Sequence, residues 1–160
     1  MRLSTNFTLA EFTKSQTATR KGLDNTPGEE HLANAKELFT NVVQPVRENF
    51  GVTVINSGYR GPALNEAVGG SSKSQHCKGE AVDIECPGTG NYDVANWIES
   101  NLDFDQLILE FYNPDDPAGG WVHCSYNEKG NNRKQVLTYD GKNYENGLPD
   151  MEWKDGKVVG

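Results

Sequence analysis

Two short, widely separated segments constrain this chain most, because together they carry the side chains of a metal site. Residues 74–84 contain His76 and Asp83, and residues 121–126 contain His123. His76 and Asp83 are too far apart for one helical turn, so a loop and the start of a strand must bring them together. The run around His123 has strand character, with alternate side chains on one face. Two histidines and one aspartate supply three ligands to a zinc ion and leave the open fourth position of a catalytic site.

The overall composition limits the other classes of function. A chain of 160 residues is expected to form one domain with a genuine core. The net charge of −8 argues against a nucleic-acid surface and against attachment to anionic membranes. Residues 1–6 contain no apolar stretch, so we expect neither a signal peptide nor a transmembrane helix. We expect a monomer.

The three cysteines cannot all pair within one chain. Cys124 follows His123 directly on the same strand, so it should face away from the metal. Cys86 has the opposite parity to Asp83, and the two cysteines could therefore meet behind the metal face. Without an export signal we expect free buried thiols, with a disulfide as the alternative.

The spacing of apolar residues predicts a mixture of helices and strands. Residues 28–50 show the three- and four-residue spacing of one long amphipathic helix, kinked by Pro45. Thr8 and Glu11 form a capping-box pattern that predicts a short helix. Further helices are predicted at 62–67 and 92–100. The predicted strands cover 52–56, 81–85, 104–111, 121–126 and 135–139, the last followed by a possible hairpin turn. We therefore expect an α+β single domain with a central antiparallel sheet flanked by helices.

The motif Ser-x-His-x(6)-Asp followed by Trp-Val-His resembles that of the zinc D-Ala-D-Ala carboxypeptidases and the related bacteriophage endolysins. The resemblance also includes hedgehog-type domains and covers roughly residues 5 to 138, including Ser57-Gly58-Tyr59-Arg60, residues 105–110 and Asn132-Arg133. It implies the hedgehog/D-Ala-D-Ala peptidase fold and one zinc ion per chain, held by His76, Asp83 and His123. The peptidase domain is expected to cover residues 1–142, with a polar C-terminal tail at 143–160.

The resemblance also implies roles for residues around the metal. Arg60 corresponds to an arginine that faces the metal and stabilises the scissile carbonyl or a substrate carboxylate. Ser74 resembles a serine that contacts substrate. Tyr59, Gln75 and Trp121 are candidates for walls of the cleft, although Trp121 could equally be a core residue. His31 lies outside every motif and is expected to be solvated.

The general base departs from the common pattern of the relatives, which is a glutamate three residues before the last histidine. That position is Gly120 in this chain. Glu110, at the end of a buried strand, is the best substitute, because pairing of this strand with the next would place it on the face of His123. Asp115 and Asp116 lie in a Pro-flanked loop and are weaker candidates.

These residues predict a zinc metallopeptidase acting on peptidoglycan stem peptides, either as a D-Ala-D-Ala carboxypeptidase or as an endolysin-type endopeptidase. The absence of Glu-x-x-His leaves one alternative, a catalytically inactive zinc-binding structural or recognition protein of the same fold. With no export signal expected, the protein is predicted to be phage-encoded, made in the host cytoplasm and active on the cell wall, or virion-associated. A cytoplasmic enzyme that recycles wall fragments is the alternative.

Overall fold

A mixed β-sheet of six strands lies at the centre of the described part of the computed structural model. The structure describes residues 1–113, 115–116 and 119–149, and the backbone of 152–154 and 157–159. The sheet strands, in chain order, are β3 Val54–Ser57, β4 Ala81–Glu85, β5 Gln106–Glu110, β6 Trp121–Ser125, β7 Gln135–Tyr139 and β8 Tyr144–Asn146. Two short hairpins stand apart from this sheet, formed by β1 Arg2–Ser4 with β2 Phe7–Thr8 and by β9 Glu152–Lys154 with β10 Lys157–Val159.

The sheet is mixed, so the expectation of a purely antiparallel sheet is wrong. Its order is β3-β4-β6-β5-β7-β8, and β5 and β7 run parallel. The reason lies in the connection 126–134, which passes the start of β5 before β7 begins. There the Lys134 N–H donates to the Phe104 carbonyl (3.1 Å), and the Gln135 N–H donates to the Asp105 carbonyl (3.0 Å). Because β5 and β7 enter the sheet at the same end, they must be parallel.

Strand alternation gives the sheet one core face and one cleft face. The core face is apolar and fully buried, with Val82, Ile84, Leu107, Leu109, Val122 and Cys124. The α-helices of the described chain are α1 Leu9–Thr13, α2 Gln16–Lys21, α3 Glu29–Leu38, α4 Gln44–Phe50, α5 Pro62–Ala67 and α6 Asn91–Asn101. Helices α1, α3, α4 and α6 contribute residues to the core on this face, whereas α2 and α5 contact each other. The intervening residues of β4, β5 and β6 point to the opposite face. Asp83, Glu110 and His123 therefore share that face.

The predicted long helix is present, but a π-helical segment precedes Pro45 where a kink was predicted. Helix α3 continues through a π-helical segment, Phe39–Val43, directly into α4. Pro45 lies in the first turn of α4, directly after the wider π-helical segment. At that position the lack of an N–H group and the bulk of the proline ring disturb the helix least. The π-helical segment thus accommodates the proline within the helix. The predicted capping box is also confirmed, because Thr8 Oγ1 accepts from the Glu11 N–H and Glu11 accepts from the Thr8 N–H.

The cysteines are free, as expected, but Cys86 and Cys124 do not meet. Cys124 pairs in register with Val82, four residues before Cys86 along β4. Four residues of strand span about 13 Å, which is too far for a disulfide. Both thiols are buried, and burial raises the pKa of each.

The division at residue 142 between a peptidase domain and a polar tail stays a prediction. Strand β8, which begins just after this point, pairs antiparallel with β7 and completes the predicted hairpin. Among the described residues, no helix has both the length and the apolar character needed to cross a bilayer.

Candidate metal centre and active-site cleft

The three predicted ligands lie together in the structure. One ligand atom from each of His76, Asp83 and His123 lies within 4.8 Å of the other two. His123 Nδ1 is 3.0 Å from Asp83 Oδ1, and His76 Nε2 is 3.4 Å from the same oxygen. Two imidazole nitrogens and a carboxylate oxygen are donors that zinc prefers, and a set of three leaves one coordination position open. The donor set therefore fits a catalytic zinc ion.

Strand register brings two of the ligands together. Asp83 of β4 and His123 of β6 are directly paired across the two antiparallel strands. Facing side chains in such a pair have Cβ atoms roughly 5 Å apart, close enough to share one ion. A slip of one residue would turn one of them into the core.

His76 reaches the same point from a 3₁₀ turn, Gln75–Lys78, rather than from the sheet. The Ser74 hydroxyl caps this turn by accepting from the His76 N–H (3.2 Å). The His76 Nδ1 lies 2.8 Å from the Gly58 carbonyl oxygen, which can only accept. Nδ1 must therefore carry the proton, and Nε2 presents its lone pair to the metal position. A Cβ at Gly58 would lie 2.3 Å from the Phe12 carbonyl oxygen, so the glycine lets the end of α1 pack closely against the residue that orients His76.

The electrostatics of Asp83 suit a metal ligand. Burial disfavours its charged form, but hydrogen bonds with His123 and His76 outweigh burial and hold the pKa of Asp83 well below its ordinary value. The carboxylate is therefore ionised, as a zinc ligand must be.

The ligands lie in an open cleft with a volume of about 890 Å³. Its lining includes five of the other residues singled out from the sequence: Arg60, Ser74, Gln75, Glu110 and Trp121. Three other candidates, Asp115, Asp116 and Tyr59, are not among the described residues that line the cleft.

Glu110 lies on the cleft face, as the strand pairing predicted. It is in register with Trp121, which makes it the diagonal neighbour of His123. The Trp121 Nε1–H donates a hydrogen bond to Glu110 Oε2. Burial, followed by repulsion from the Asp83 carboxylate, raises the pKa of Glu110. A carboxylate with a raised pKa beside the metal ligands has the properties of a general base.

Gly120 could not carry the glutamate of the common pattern in this fold. Its φ of +73° is a left-handed conformation, and a Cβ would lie 1.9 Å from the Glu110 carbonyl oxygen. The tight turn into β6 thus excludes a side chain at the usual position of the base. Glu110, whose carbonyl oxygen closes this turn, instead brings a carboxylate to the cleft from β5.

Arg60 and Ser74 contact each other at the cleft, where an Arg60 NH2 group donates to Ser74 Oγ (3.2 Å). The Arg60 N–H also bonds the His76 carbonyl oxygen (3.1 Å), which ties the arginine to the metal-binding turn. The buried Arg60 Nε has no hydrogen-bond partner among the described residues.

Tyr59 is not a cleft wall in the structure. Only 4% of it is exposed, and it packs in the core against Phe12. Its hydroxyl lies 3.1 Å from the Nδ1 of His31. His31 was expected to be solvated, but it is half-buried and lines the cleft. Its position on a helix outside every motif gave no signal of this.

Asp105 is a site-supporting residue to which the sequence assigned no role. It is only 5% exposed, accepts two hydrogen bonds from the Arg133 guanidinium (3.0 Å each) and a third from the Arg133 N–H. It also accepts from the Gln75 amide (2.9 Å). Asp105 therefore ties the metal-binding turn to the connection that leads into β7. An aspartate at the start of an apolar strand was the available signal.

The comparison with protein-family models agrees with this site. The model described as Peptidase M15 matches residues 5–125, which include all three ligands and Glu110. The chain therefore belongs to peptidase family M15, and its resemblance to the zinc D-Ala-D-Ala carboxypeptidases and endolysins is confirmed. Peptidases of this family are zinc-dependent, and membership of the family supports hydrolase activity for this chain. A comparison with curated proteins gave no match.

Metal analysis should find about one zinc ion per chain, and His76→Ala should lose it. Removing one of three ligands leaves too few donors for a stable site. The matched control is His31→Ala, which removes a cleft histidine outside the ligand set and should keep zinc. Retention of stoichiometric zinc by His76→Ala would contradict the ligand assignment.

Gly120→Ala should destabilise the protein by roughly 2 kcal/mol or more, because the new Cβ meets backbone atoms and cannot adopt the positive φ without strain. Gly88→Ala is the control, since Gly88 has a φ of +87° but open space around its Cβ position. The free energy of unfolding of both variants is measured with denaturant. The loss in Gly88→Ala reports the strain of the positive φ alone, and the additional loss in Gly120→Ala reports the steric overlap. Equal losses of stability would mean that the turn tolerates a side chain.

Proposed function

We propose that this protein is a zinc peptidase that hydrolyses peptide bonds in the stem peptides of bacterial peptidoglycan. The observation that carries the proposal is the shared cleft face, on which a His-Asp-His ligand set lies beside a glutamate with a raised pKa. Family membership supports peptidase activity, and the substrate class follows from the family's association with cell-wall peptides.

Each residue of the cleft has a place in such a reaction. Zinc, when bound, supplies a Lewis acid that polarises a carbonyl and acidifies water. Glu110 takes a proton from the attacking water on Oε1, because Oε2 is held by Trp121, and returns it to the leaving amine. The raised pKa of Glu110 suits both halves of this transfer.

Arg60 supplies a positive charge that stabilises the negative charge on the substrate oxygens. Its guanidinium lines the cleft and donates a hydrogen bond to Ser74 Oγ. A scissile carbonyl oxygen or a terminal substrate carboxylate in the cleft would accept from this guanidinium.

Two bonds compete as the target, the terminal D-Ala-D-Ala bond and an internal bond such as L-Ala-D-Glu. The open cleft has room for a chain that continues past the metal, which supports an endopeptidase. The likeness to bacteriophage endolysins supports a phage-encoded enzyme that acts on the wall from within the host or as part of the virion. An inactive zinc-binding recognition protein is the competing function, motivated by Gly120 in place of the usual base.

Glu110→Gln should bind zinc normally and lose hydrolysis by a factor of about 10² to 10⁴, the range expected when a general base is removed. The amide keeps the size of the side chain but cannot accept the proton. Glu85→Gln, on the same strand as Asp83 but outside the cleft lining, is the control and should be active. Full activity of Glu110→Gln would remove Glu110 from the mechanism.

Digestion of bare wall sacculi, followed by mass spectrometry of the products, should identify the bond that is cut. Loss of turbidity with new amino termini inside the stem peptide is expected for the endopeptidase. Release of free D-Ala without loss of turbidity would identify the carboxypeptidase. Stoichiometric zinc with no peptide product from either substrate would favour the inactive recognition protein.

A further inference from the structure

Beside the catalytic residues lies a group of four aromatic side chains, Phe111, Trp121, Tyr139 and Tyr144, here called the aromatic ledge. Their rings form a continuous chain of contacts. Phe111 lies 5.0 Å from Trp121 and 5.4 Å from Tyr139 between ring centroids, and Tyr139 stacks on Tyr144 at 4.3 Å. Tyr139 and Tyr144 lie beyond the region that the family model matches.

Strand register places the ledge on the cleft face. Trp121, Glu110, Tyr139 and Tyr144 are successive register partners across β6, β5, β7 and β8, so they form one row across the sheet. This row is the neighbour of the row that contains Asp83 and His123. Tyr144 and Trp121 both line the cleft, and the Glu110 carboxylate is near enough to Tyr144 to contribute to its raised pKa, after burial. The ledge is thus continuous with the catalytic centre.

The ledge is exposed although its residues are apolar. Tyr144 is 57% exposed and Phe111 is 43% exposed, among the most exposed large hydrophobic residues of the described chain. Phe111 also has a φ of +54°, an uncommon conformation for a bulky residue. Its N–H bond to the Tyr139 carbonyl oxygen (2.8 Å) holds it there. Exposed apolar rings kept in a strained position beside a cleft indicate a binding surface rather than a core.

We propose that the aromatic ledge binds the sugar rings of the peptidoglycan glycan strand, while the attached stem peptide lies at the metal centre. This inference rests on the proposed function. The stem-peptide residues named above, alanine and glutamate, offer no large apolar group to cover an aromatic face. A pyranose ring has a flat face of C–H groups that matches a tyrosine ring in size. Neutral sugars also meet no repulsion from a chain with a net charge of −8.

Direct binding tests the ledge without any catalysis. The zinc-loaded full-length protein is titrated with a linear β-1,4-linked tetramer of N-acetylglucosamine, and aromatic resonances are followed by NMR. We expect shifts of the four ledge residues that vanish in Tyr144→Ala and persist in Tyr144→Phe, which keeps the ring. Val52→Ala, which shortens an exposed apolar residue elsewhere, is the control and should bind normally. No shifts at millimolar tetramer, or shifts confined to other surfaces, would overturn the proposal.

Kinetics on two matched substrates tests the link to the reaction. One is a stem peptide still attached to its disaccharide, and the other is the same peptide without sugar. Tyr144→Ala should raise KM for the sugar-linked substrate by roughly three- to tenfold, the worth of one aromatic contact, with kcat unchanged. The KM and kcat of the same variant for the peptide without sugar should not change. Equal losses on both would assign Tyr144 to the peptide and overturn the sugar site. Hydrolysis of neither substrate by the wild type would refute the proposed function, while the binding experiment still decides the ledge.

Discussion

The cleft depends on one carboxylate, because Asp83 Oδ1 lies between His123 Nδ1 and His76 Nε2. An ionised aspartate among apolar residues is unfavourable unless it is paired, and two imidazoles or a metal ion provide that pairing. The arrangement requires the register of β4 and β6, in which Asp83 and His123 face each other. The fold positions the remaining groups around this pair.

A second buried carboxylate, Asp105, joins two loops through hydrogen bonds, as Asp83 joins the two histidines. It accepts from both Gln75 and Arg133 and so joins the turn that carries His76 to the connection that starts β7. Its pKa is lowered because the Arg133 and Gln75 hydrogen bonds outweigh burial. The metal-binding turn is therefore anchored on two sides, by Asp105 and by the Gly58 carbonyl oxygen that accepts from His76. Such second contacts orient ligands before the metal arrives.

The tight turn at Gly120 explains how this chain differs from the common pattern of its relatives. The turn brings the end of β5 against the start of β6 so closely that no side chain fits at Gly120. The same closeness sets Trp121 against Glu110 and fixes one carboxylate oxygen. The lack of space for a side chain at Gly120 and the position of the Glu110 carboxylate are thus two consequences of a single turn. The row that contains Glu110 continues into the aromatic ledge on β7 and β8.

The sequence by itself determined the candidate metal ligands, the family and most helices and strands, because these depend on local spacing. His76, Asp83, His123 and Glu110 could be chosen from residue type, motif and strand alternation alone. Local spacing does not state which strands are neighbours, so the parallel pairing of β5 and β7 was decided by the path of residues 126–134. The burial of Tyr59, the exposure of His31 to the cleft and the separation of Cys86 from Cys124 also depend on long-range packing. Only the tertiary structure, in which distant strands fix one another's register, could decide them.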